Sequence, residues 1–431
     1  MHNIFKLAIF AVKIVTCTAN TEKETNLFIK SDIPPLVIVP GIGQSRLEYR
    51  YKSEGDSSAY RQLWLVMDNM IANKSLYTDD MKIQFDPVTD EYKSADHVDI
   101  RPYDFGGVEG FSILDPKYPQ TDKFIKLVKN LESVGYIVGK SLFGALYDYR
   151  LSGPTNVKKF GFFADLQNLI EKAYNINGRK AVLLGHSLGT LISHHFLSSY
   201  VTAEWKKKYL ECYVSVNGVY GGTVESFSYT AAYRKWIVPG ITLEESYDAV
   251  KYISPLYWNL PNKYGYDEEN DVIAEIPSLN VTITSKNISW IYESTGRLDL
   301  LAAYNNVKHI RDELKAPGIK TYSFTCIGED TLYKLVYNYT SPDKQQENKD
   351  QINDSDQWWK HEGYEVFGNG DNSANPKCLK VPLLWRELQE QPVIWKEYTG
   401  ADHSGILKDD RFWLDLRKIL VGDASDDEKE L

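Results

Sequence analysis

Several features that would assign a protein to a class at once are missing from this sequence. The chain of 431 residues has only 4 cysteines, and no stretch approaches the roughly 18 apolar residues that a membrane-spanning helix requires. Acidic residues number 59 against 49 basic ones, so the formal net charge is -10. Such a chain offers no positive field to phosphate groups, and nucleic acid is excluded as a partner. No cysteine or histidine spacing is typical of a zinc site, and the chemistry described below requires neither a metal nor an organic cofactor.

The scarcity of cysteine leaves one candidate disulfide. Cys17 falls in the N-terminal segment that resembles a secretory signal, and Cys212 lies in an apolar run typical of a buried strand, where a free thiol is the usual state. We therefore expect Cys326 and Cys378 to pair. A bond between them would close a loop of about 50 residues and would indicate an oxidising compartment.

The N-terminal segment resembles a secretory signal. Residues 4–15 are mostly apolar, with Lys6 and Lys13 among them, and the small residues 16–19 follow. We predict a signal peptide at 1–19, which would leave 20–431 as the mature domain; a frayed N-terminal tail is the alternative. Glycosylation sequons fit a secreted or lumenal protein, although such triplets also arise by chance. They begin at Asn73, Asn280, Asn287, Asn338 and Asn353.

Apolar runs that could form strands alternate with helical patterns along most of the chain. Residues 124–131 and 160–174 place apolar side chains at helical spacing. This alternation predicts an α/β protein with a mostly parallel sheet that helices cover on both faces. The predicted strands are 36–39, 97–101, 142–147, 181–184, 213–216, 321–327 and 393–398.

Two segments interrupt the alternation, and we predict cap insertions near 44–98 and 223–261. The second segment carries the aromatic residues Phe227, Tyr229, Tyr233 and Trp236. Such a segment can be packed into the core, or it can form a mobile lid with exposed aromatic side chains. The sequence leaves both alternatives open.

A short motif marks the candidate nucleophile. The run Gly185-His186-Ser187-Leu188-Gly189 follows four apolar residues and precedes a helical pattern without proline. In this context a G-x-S-x-G motif is typical of a nucleophile elbow, a strained turn that holds a serine above the end of a strand. Glycine at 185 and 189 lets the strand and helix backbones approach closely. We therefore predict Ser187 as a nucleophile.

A serine hydroxyl needs a base to take its proton and a carboxylate to hold that base. Of the 8 histidines, only His403 lies in a glycine-bounded loop after the last predicted strand. That place fits the chain order serine, acid, histidine of α/β-hydrolases. His194 and His195 lie on the helix after Ser187 and fit a structural role. We predict His403 as the general base.

Together these motifs resemble the lecithin:cholesterol acyltransferase and lysosomal phospholipase A2 family. They occur in the family's order at 34–43, 146–150, 185–189, 221–222, 370–373 and 402–403. The resemblance covers most of residues 34–420 and implies an α/β-hydrolase catalytic domain with cap insertions. It also implies that Asp371 is the acid of a Ser187, Asp371, His403 triad. By the same resemblance, the backbone N–H groups of Leu188 and Phe105 would form the oxyanion hole.

The chain departs from the family pattern at two places. The family's acid loop is rich in acids, whereas this chain has Asn369 there and Asp371 as the acid; Asp402 beside the histidine is the competing candidate. The family closes an early membrane-contacting loop with two cysteines, but residues 50–63 of this chain contain none. How the protein would dock on lipid is therefore open.

The function implied by the resemblance is acyl transfer from a phospholipid. A fatty acyl group would leave a glycerophospholipid, form an acyl-enzyme, and pass to a lipid alcohol or to water. The protein would act peripherally on a phospholipid membrane or lipoprotein surface, in a secreted or lumenal compartment. The alternatives are a lipase or phospholipase with water as its sole acceptor, and a catalytically silent lipid-binding protein on the same fold.

Overall fold

Six parallel strands form the central sheet in a computed structural model that describes residues 33–154, 161–236, 238–337 and 355–422. Across the sheet the strands are Val393–Thr399, Thr321–Ile327, Leu210–Val216, Ala181–His186, Leu36–Val39 and Leu142–Gly144. Every neighbouring pair is parallel. The predicted signal peptide at 1–19 and the sequons at Asn338 and Asn353 lie outside the described residues.

The described strands and helices are as follows in chain order. The strands are β1 (Leu36–Val39), β2 (Leu47–Tyr51), β3 (Arg61–Trp64), β4 (Ile83–Asp86), β5 (Glu91–Ser94), β6 (Val98–Pro102), β7 (Leu142–Gly144), β8 (Ala181–His186), β9 (Leu210–Val216), β10 (Ala274–Ile276), β11 (Val281–Ile283), β12 (Thr321–Ile327), β13 (Glu329–Val336), β14 (Tyr364–Gly370) and β15 (Val393–Thr399). The helices are α1 (Met67–Ala72), α2 (Glu109–Ser112), α3 (Ile125–Ser133), α4 (Phe162–Asn177), α5 (Leu188–His195), α6 (Ala203–Tyr209), α7 (Val224–Ala231), α8 (Leu243–Val250), α9 (Ser254–Trp258), α10 (Ser289–Ser294), α11 (Leu298–Arg311), α12 (Pro376–Leu379) and α13 (Asp410–Val421).

The central sheet is apolar on both faces because helices cover both of them. In β1, Leu36 and Ile38 pack into the same cluster as Leu127 of α3 and Phe412 of α13. The alternate residues, Val37 and Val39, point to the other face and join the cluster that contains α4 and α5. Successive side chains of a strand point to opposite faces, so an uninterrupted apolar run is the expected sequence of a doubly covered strand.

The first insertion forms a small antiparallel sheet of its own. Strands β3, β2 and β6 lie side by side in that order, and β4 pairs with β5 as a hairpin. The strand predicted at 97–101 is therefore β6 of this small sheet, and its assignment to the central sheet was wrong. Only Val98 of this strand is buried, and the four residues after it are partly or fully exposed, in contrast to the fully buried strands β1 and β8 of the central sheet.

The second insertion is larger than its aromatic segment. Between β9 and β12 the chain forms helices α7 to α11 and strands β10 and β11. The last two strands join β13 and β14 in a four-stranded sheet with the order β11, β10, β13, β14. This unit, which we call the cap, has a core of its own that includes Phe227, Tyr257, Tyr292, Leu300 and Leu335. Among the described helices, none is both long enough and apolar enough to cross a membrane.

Candidate active site

Ser187 stands at the strained turn between β8 and α5. Its backbone has φ 55° and ψ −127°, a region that costs free energy for a residue with a side chain and that is common at functional turns. The neighbouring glycines leave no room for a Cβ atom. A Cβ on Gly185 would lie 2.7 Å from the Gly189 carbonyl oxygen, and one on Gly189 would lie 2.2 Å from the Val39 carbonyl oxygen. The described geometry is that of a nucleophile elbow.

The loop after β1 packs directly against this turn. A Cβ on Gly41 would lie 2.8 Å from Ser187 Cβ, so the backbone at 41 approaches the serine more closely than any larger residue would permit. The buried Gln44 side chain holds the loop, because its Oε1 accepts a hydrogen bond of 2.6 Å from the Gly41 N–H. Ile42 and Gly43 then line the same cavity as Ser187 and Leu188.

His403 and Asp371 form a buried hydrogen-bonded pair. The distance between His403 Nδ1 and Asp371 Oδ2 is 2.6 Å. The other oxygen of Asp371 accepts from the backbone N–H groups of Ser373 and Ala374, at 2.9 and 2.7 Å. Asp371 is fully buried and His403 is 9% exposed. Since Nδ1 is engaged by the carboxylate, Nε2 is the imidazole nitrogen that remains for proton transfer.

The backbone of His403 is tied to the nucleophile elbow. His186, which precedes Ser187, and Asn217, which follows β9, both donate hydrogen bonds of 2.9 Å to the His403 carbonyl oxygen. Asp402 does not compete for the ring, because its carboxylate accepts from the Ser404 and Gly405 N–H groups and caps its own turn. The structure therefore brings Asp371, and not Asp402, to the histidine.

Asp371 reaches the site through an excursion of the chain into the cap. The central strand β12 ends at Ile327, and the chain continues through Gly328 into β13 and returns along β14. The side chain of Asn369 closes the base of this excursion by accepting a 2.9 Å hydrogen bond from the Gly328 N–H. Asp371 comes directly after the last residue of β14, Gly370, next to the end of β12. Asn369 thus has a structural contact of its own and lies away from His403 Nδ1.

The electrostatics of the two histidines beside the serine differ. Burial alone would lower the pKa of His403, but the charge of Asp371 and its hydrogen bond outweigh burial and raise this pKa above its usual value. Glu225 and Asp402 act in the same direction. Burial lowers the pKa of His186 to about 3, so this ring is neutral, and its Nε2–H donates to the His403 carbonyl oxygen. Of these two histidines, His403 is the one whose surroundings favour taking up a proton.

A cavity of about 220 Å³ opens beside Ser187. Apart from the loop after β1, its walls come mainly from the cap: Val250, Ile253, Leu256, Tyr229 and Trp236. The indole of Trp236 stacks on that of Trp64, with ring centroids 6.0 Å apart and planes within 3°. Phe227 of the aromatic segment lies in the cap core, and Trp236 lines the cavity. The mobile lid stays a prediction.

Phe105 does not lie at Ser187. Its ring is 41% exposed and contacts Phe162 at 6.5 Å between centroids. The next residue, Gly106, donates a backbone hydrogen bond to Gly144 at the end of β7. Because β1 lies between β7 and β8, the loop of Phe105 is two strands away from the elbow. The loop after β1 is the one that packs against the turn of Ser187.

The expected disulfide between Cys326 and Cys378 is absent. The three described cysteines, Cys212 among them, are buried free thiols. Cys326 packs on one face of the central sheet and Cys378 in the cluster on the other face. Cys378 Sγ accepts a 3.1 Å hydrogen bond from the Gly221 N–H. Burial raises the pKa of the Cys326 thiol to about 12 and raises that of Cys378 as well, so both stay protonated and unreactive.

Two positioning residues escaped the sequence analysis. Asn217 is fully buried, adopts φ 46°, and accepts a 2.8 Å hydrogen bond from the Cys326 N–H while it donates to His403. In the sequence, Asn217 followed by glycine is an ordinary turn signal. Gln44 is the second such residue. A left-handed asparagine directly after a central strand is the signal that could have identified Asn217.

An all-parallel sheet with helices on both faces, a serine at a strained strand-to-helix turn and a histidine–aspartate pair at neighbouring strand ends define an α/β-hydrolase. Its sequence relations are more specific. A family model described as Lecithin:cholesterol acyltransferase matches residues 60–309, which is more than half of the chain. The protein belongs to the lecithin:cholesterol acyltransferase family.

Individual relatives agree with that assignment. The chain is 26% identical to Lecithin-cholesterol acyltransferase-like 1 of Arabidopsis thaliana, over 96% of this chain and 94% of the relative. It is 23% identical to the Lysosomal phospholipase A and acyltransferase of Homo sapiens, over 90% of this chain and 91% of the relative. Among solved structures, the crystal structure of the Tle4-Tli4 complex matches at a TM-score of 0.51 and 12% identity, over 90% of this chain and 98% of that chain. This last likeness concerns the fold alone.

Proposed function

We propose that the protein is a serine-dependent lipid acyltransferase and phospholipase that removes a fatty acyl group from a glycerophospholipid. Family membership supports the class of activity, and the family's named relatives include a phospholipase A and acyltransferase. The observation that carries the proposal is the 2.6 Å bond between His403 Nδ1 and Asp371 Oδ2 beside the elbow of Ser187. A mainly apolar cavity next to that serine fits an acyl chain.

In the first half-reaction, Ser187 Oγ attacks the ester carbonyl carbon while His403 Nε2 takes the hydroxyl proton. Asp371 fixes the tautomer and stabilises the imidazolium that forms. The backbone N–H groups of Leu188 and Ile42 would stabilise the oxyanion, since both residues line the cavity at Ser187. The C–O bond to the lysolipid then breaks, the imidazolium returns its proton to the departing alkoxide, and the acyl group remains on Ser187.

In the second half-reaction, an alcohol or water attacks the acyl-enzyme while His403 Nε2 takes its proton. The acyl bond to Ser187 Oγ then breaks, and the imidazolium returns the proton to Ser187. A closed, water-poor cavity favours a lipid alcohol over water, and the cap supplies such walls through Trp236 and Ile253. Hydrolysis to free fatty acid alone is the alternative within the same mechanism. A silent lipid-binding protein is disfavoured, because binding does not require a buried carboxylate on the imidazole of a nucleophile elbow.

A fluorophosphonate probe tests the proposal directly. The intact protein should be labelled on Ser187, as located by peptide mass spectrometry, and Ser187→Ala should remain unlabelled. Phospholipid vesicles with and without a sterol or ceramide should then yield free fatty acid and, where the alcohol is present, its ester. An unlabelled Ser187 in a folded protein would refute the enzyme assignment, and fatty acid as the sole product would leave a phospholipase.

We also propose a secreted or lumenal protein that works peripherally at a membrane or lipoprotein surface. The sequon asparagines Asn73 and Asn280 are exposed, as a glycosylated residue must be. Asn287 uses its side-chain amide in a turn, bonding to Thr282 and Thr284. Digestion with an endoglycosidase should lower the mass of the protein secreted from eukaryotic cells, and a non-glycosylated cytosolic product would contradict this location.

A further inference from the structure

A second cavity lies beside α5, the helix that follows Ser187. Its volume is about 50 Å³, enough for a molecule of a few heavy atoms. Its walls come from both units of the fold, since His194 lies on α5, Arg311 ends the cap helix α11, and Trp385 belongs to the helical segment Val381–Glu387. Among the described residues, none lines both this cavity and the one at Ser187. The second cavity is therefore distinct from the candidate active site.

Two buried hydrogen-bond donors in the walls of the second cavity have no acceptor within the described part of the chain. They are Nη1 of Arg311 and Nε1 of Trp385, in residues that are 5% and 0% exposed. The other nitrogens of Arg311 are engaged, because Nε donates to Asp312 at 3.0 Å and Nη2 to the Tyr304 hydroxyl at 3.2 Å. A buried donor without an acceptor is unfavourable. Both N–H groups therefore fit a ligand that brings its own acceptor oxygens.

The charges around Arg311 favour an anion. Asp312 pairs with Lys308 as well as with Arg311, so one carboxylate serves two cations. Glu313 is the acidic residue among the described residues that line the second cavity, and it is already paired with Lys315 at 2.9 Å. This cluster thus sets three cations against two carboxylates, and an anion in the cavity would compensate the excess positive charge.

We propose that the second cavity binds a small organic carboxylate. The carboxylate oxygens accept hydrogen bonds from Arg311 Nη1 and Trp385 Nε1, and bonds between charged groups are the stronger ones. A short carbon stem suits the apolar part of the wall, whereas a phosphate would bring more charge and more oxygens than these donors satisfy. The apolar part of the wall consists of Leu191, Trp258, Ile310, Leu314 and Val381. This inference goes beyond the proposed function and does not depend on it.

Calorimetry on the Ser187→Ala protein, chosen to exclude any turnover, tests the inference. Butyrate and butanamide have the same size and shape, but only butyrate carries a charge. We expect butyrate to bind at one site and butanamide to bind at least about tenfold more weakly, because the charge-assisted hydrogen bonds are lost. Inorganic phosphate should also bind more weakly than butyrate. Equal affinities for butyrate and butanamide, tighter binding of phosphate, or no saturable binding of butyrate would each overturn the inference.

Two variants locate the ligand. In the Ser187→Ala background, Arg311→Met and Trp385→Phe each remove one donor and keep a side chain of similar size, and each should weaken butyrate binding by about tenfold. Arg297→Met is the matched control. Arg297 is also buried and lies at the other end of α11, but its three guanidinium nitrogens are all bonded and it does not line the second cavity. Unchanged affinity in both donor variants would contradict the proposed site.

A last comparison separates the second cavity from the cavity at Ser187. Trp236→Ala, also in the Ser187→Ala background, alters a wall of the cavity at Ser187 and should leave butyrate binding unchanged. Because a ligand that binds only the folded protein stabilises it, saturating butyrate should raise the melting temperature of the parent protein but not that of Arg311→Met. Binding that is lost in Trp236→Ala and retained in Arg311→Met would place butyrate beside Ser187 and would overturn the inference.

Discussion

The central sheet and the cap contribute to the site in different ways. Ser187 and His403 follow the parallel strands β8 and β15, and their backbones are linked through His186. Asp371 follows β14 of the cap sheet, and Glu225 belongs to a cap helix. The candidate nucleophile and base thus follow strands of the parallel sheet, whereas Asp371 and Glu225 come from the cap insertion. The hydrogen bond between Asp371 and His403 connects the two units.

Of the variants considered, replacement of Asp371 should lower kcat the most. In Asp371→Asn, the neutral amide can no longer stabilise the imidazolium or fix its tautomer, and kcat should fall by about 10⁴-fold. Turnover of a chromogenic acyl ester measures the loss, with folding checked by circular dichroism. Asp402→Asn is the control, since that carboxylate caps its own turn, and it should stay within a few-fold of wild type. The opposite pattern would move the acid to Asp402.

A smaller loss is expected when the acid is kept but the loop of His403 is released. Asn217→Ala removes one of two hydrogen bonds to the His403 carbonyl, and misplacement of a catalytic group by about 1 Å can cost roughly 10²-fold. Asn177→Ala is the control, because Asn177 is also buried but bonds to Lys140 and Ala173 and not to His403. Equal losses in both variants would indicate general destabilisation in place of a positioning role.

The central sheet is predictable from the sequence because two independent constraints act on each strand and on the turn after it. A parallel strand that is covered on both faces must be apolar throughout, and the turn that follows needs glycine where backbones meet, so 36–39 and 185–189 could be recognised directly. The histidine could be found for the same reason, since its place after the last strand is fixed by topology. The strand at 97–101 was assigned to the wrong sheet, because the sequence of a short strand with one solvated face does not show which sheet the strand joins.

The cap is less predictable because its contacts are long-range. Asp371 was found through a family motif, and no local pattern shows that a strand pair would carry it back to the end of β12. The sequence did not show which loop packs on Ser187 for a related reason, since both 40–43 and 104–107 end in glycines and only the strand order separates them. The cysteines follow the same rule, because sequence separation does not reveal that Cys326 and Cys378 lie on opposite faces of the sheet.

The pH profile offers a test of the electrostatic link between the two units. His403 must be neutral to act as a base, so kcat/KM should fall about tenfold per pH unit below its pKa. That pKa is raised above 6.5 by Asp371, Glu225 and Asp402 in spite of burial, whereas the neighbouring His186 stays neutral. The acidic limb should therefore lie above 6.5, with activity retained at higher pH and lost on acidification.

Variants that change a charge near His403 should shift the acidic limb of this pH profile. Glu225→Gln should shift the acidic limb to lower pH, because one of the charges that favour the imidazolium is removed. Glu244→Lys, at an exposed position of the cap helix α8, should shift it less. Measurements of kcat/KM from pH 4 to 9, a range chosen to bracket the ordinary histidine pKa of about 6.5, would show the acidic limb of each variant and the plateau above it. Maximal activity below the ordinary histidine pKa would contradict the raised pKa and would point to a different base.

The smallest expected effect concerns the thiols, which lie in the two clusters on opposite faces of the central sheet. Closing a loop of about 50 residues by a disulfide would typically stabilise the fold by about 4 kcal/mol, so a reductant would lower the melting temperature markedly if Cys326 and Cys378 were bonded. Because both are buried free thiols, the melting temperature should be the same with and without reductant. Alkylation after unfolding in the absence of reductant should modify both cysteines, with Cys212 as the internal reference. A cross-linked peptide in that digest, together with melting that depends on reductant, would restore the bond and would tie the segment of Asp371 covalently to β12.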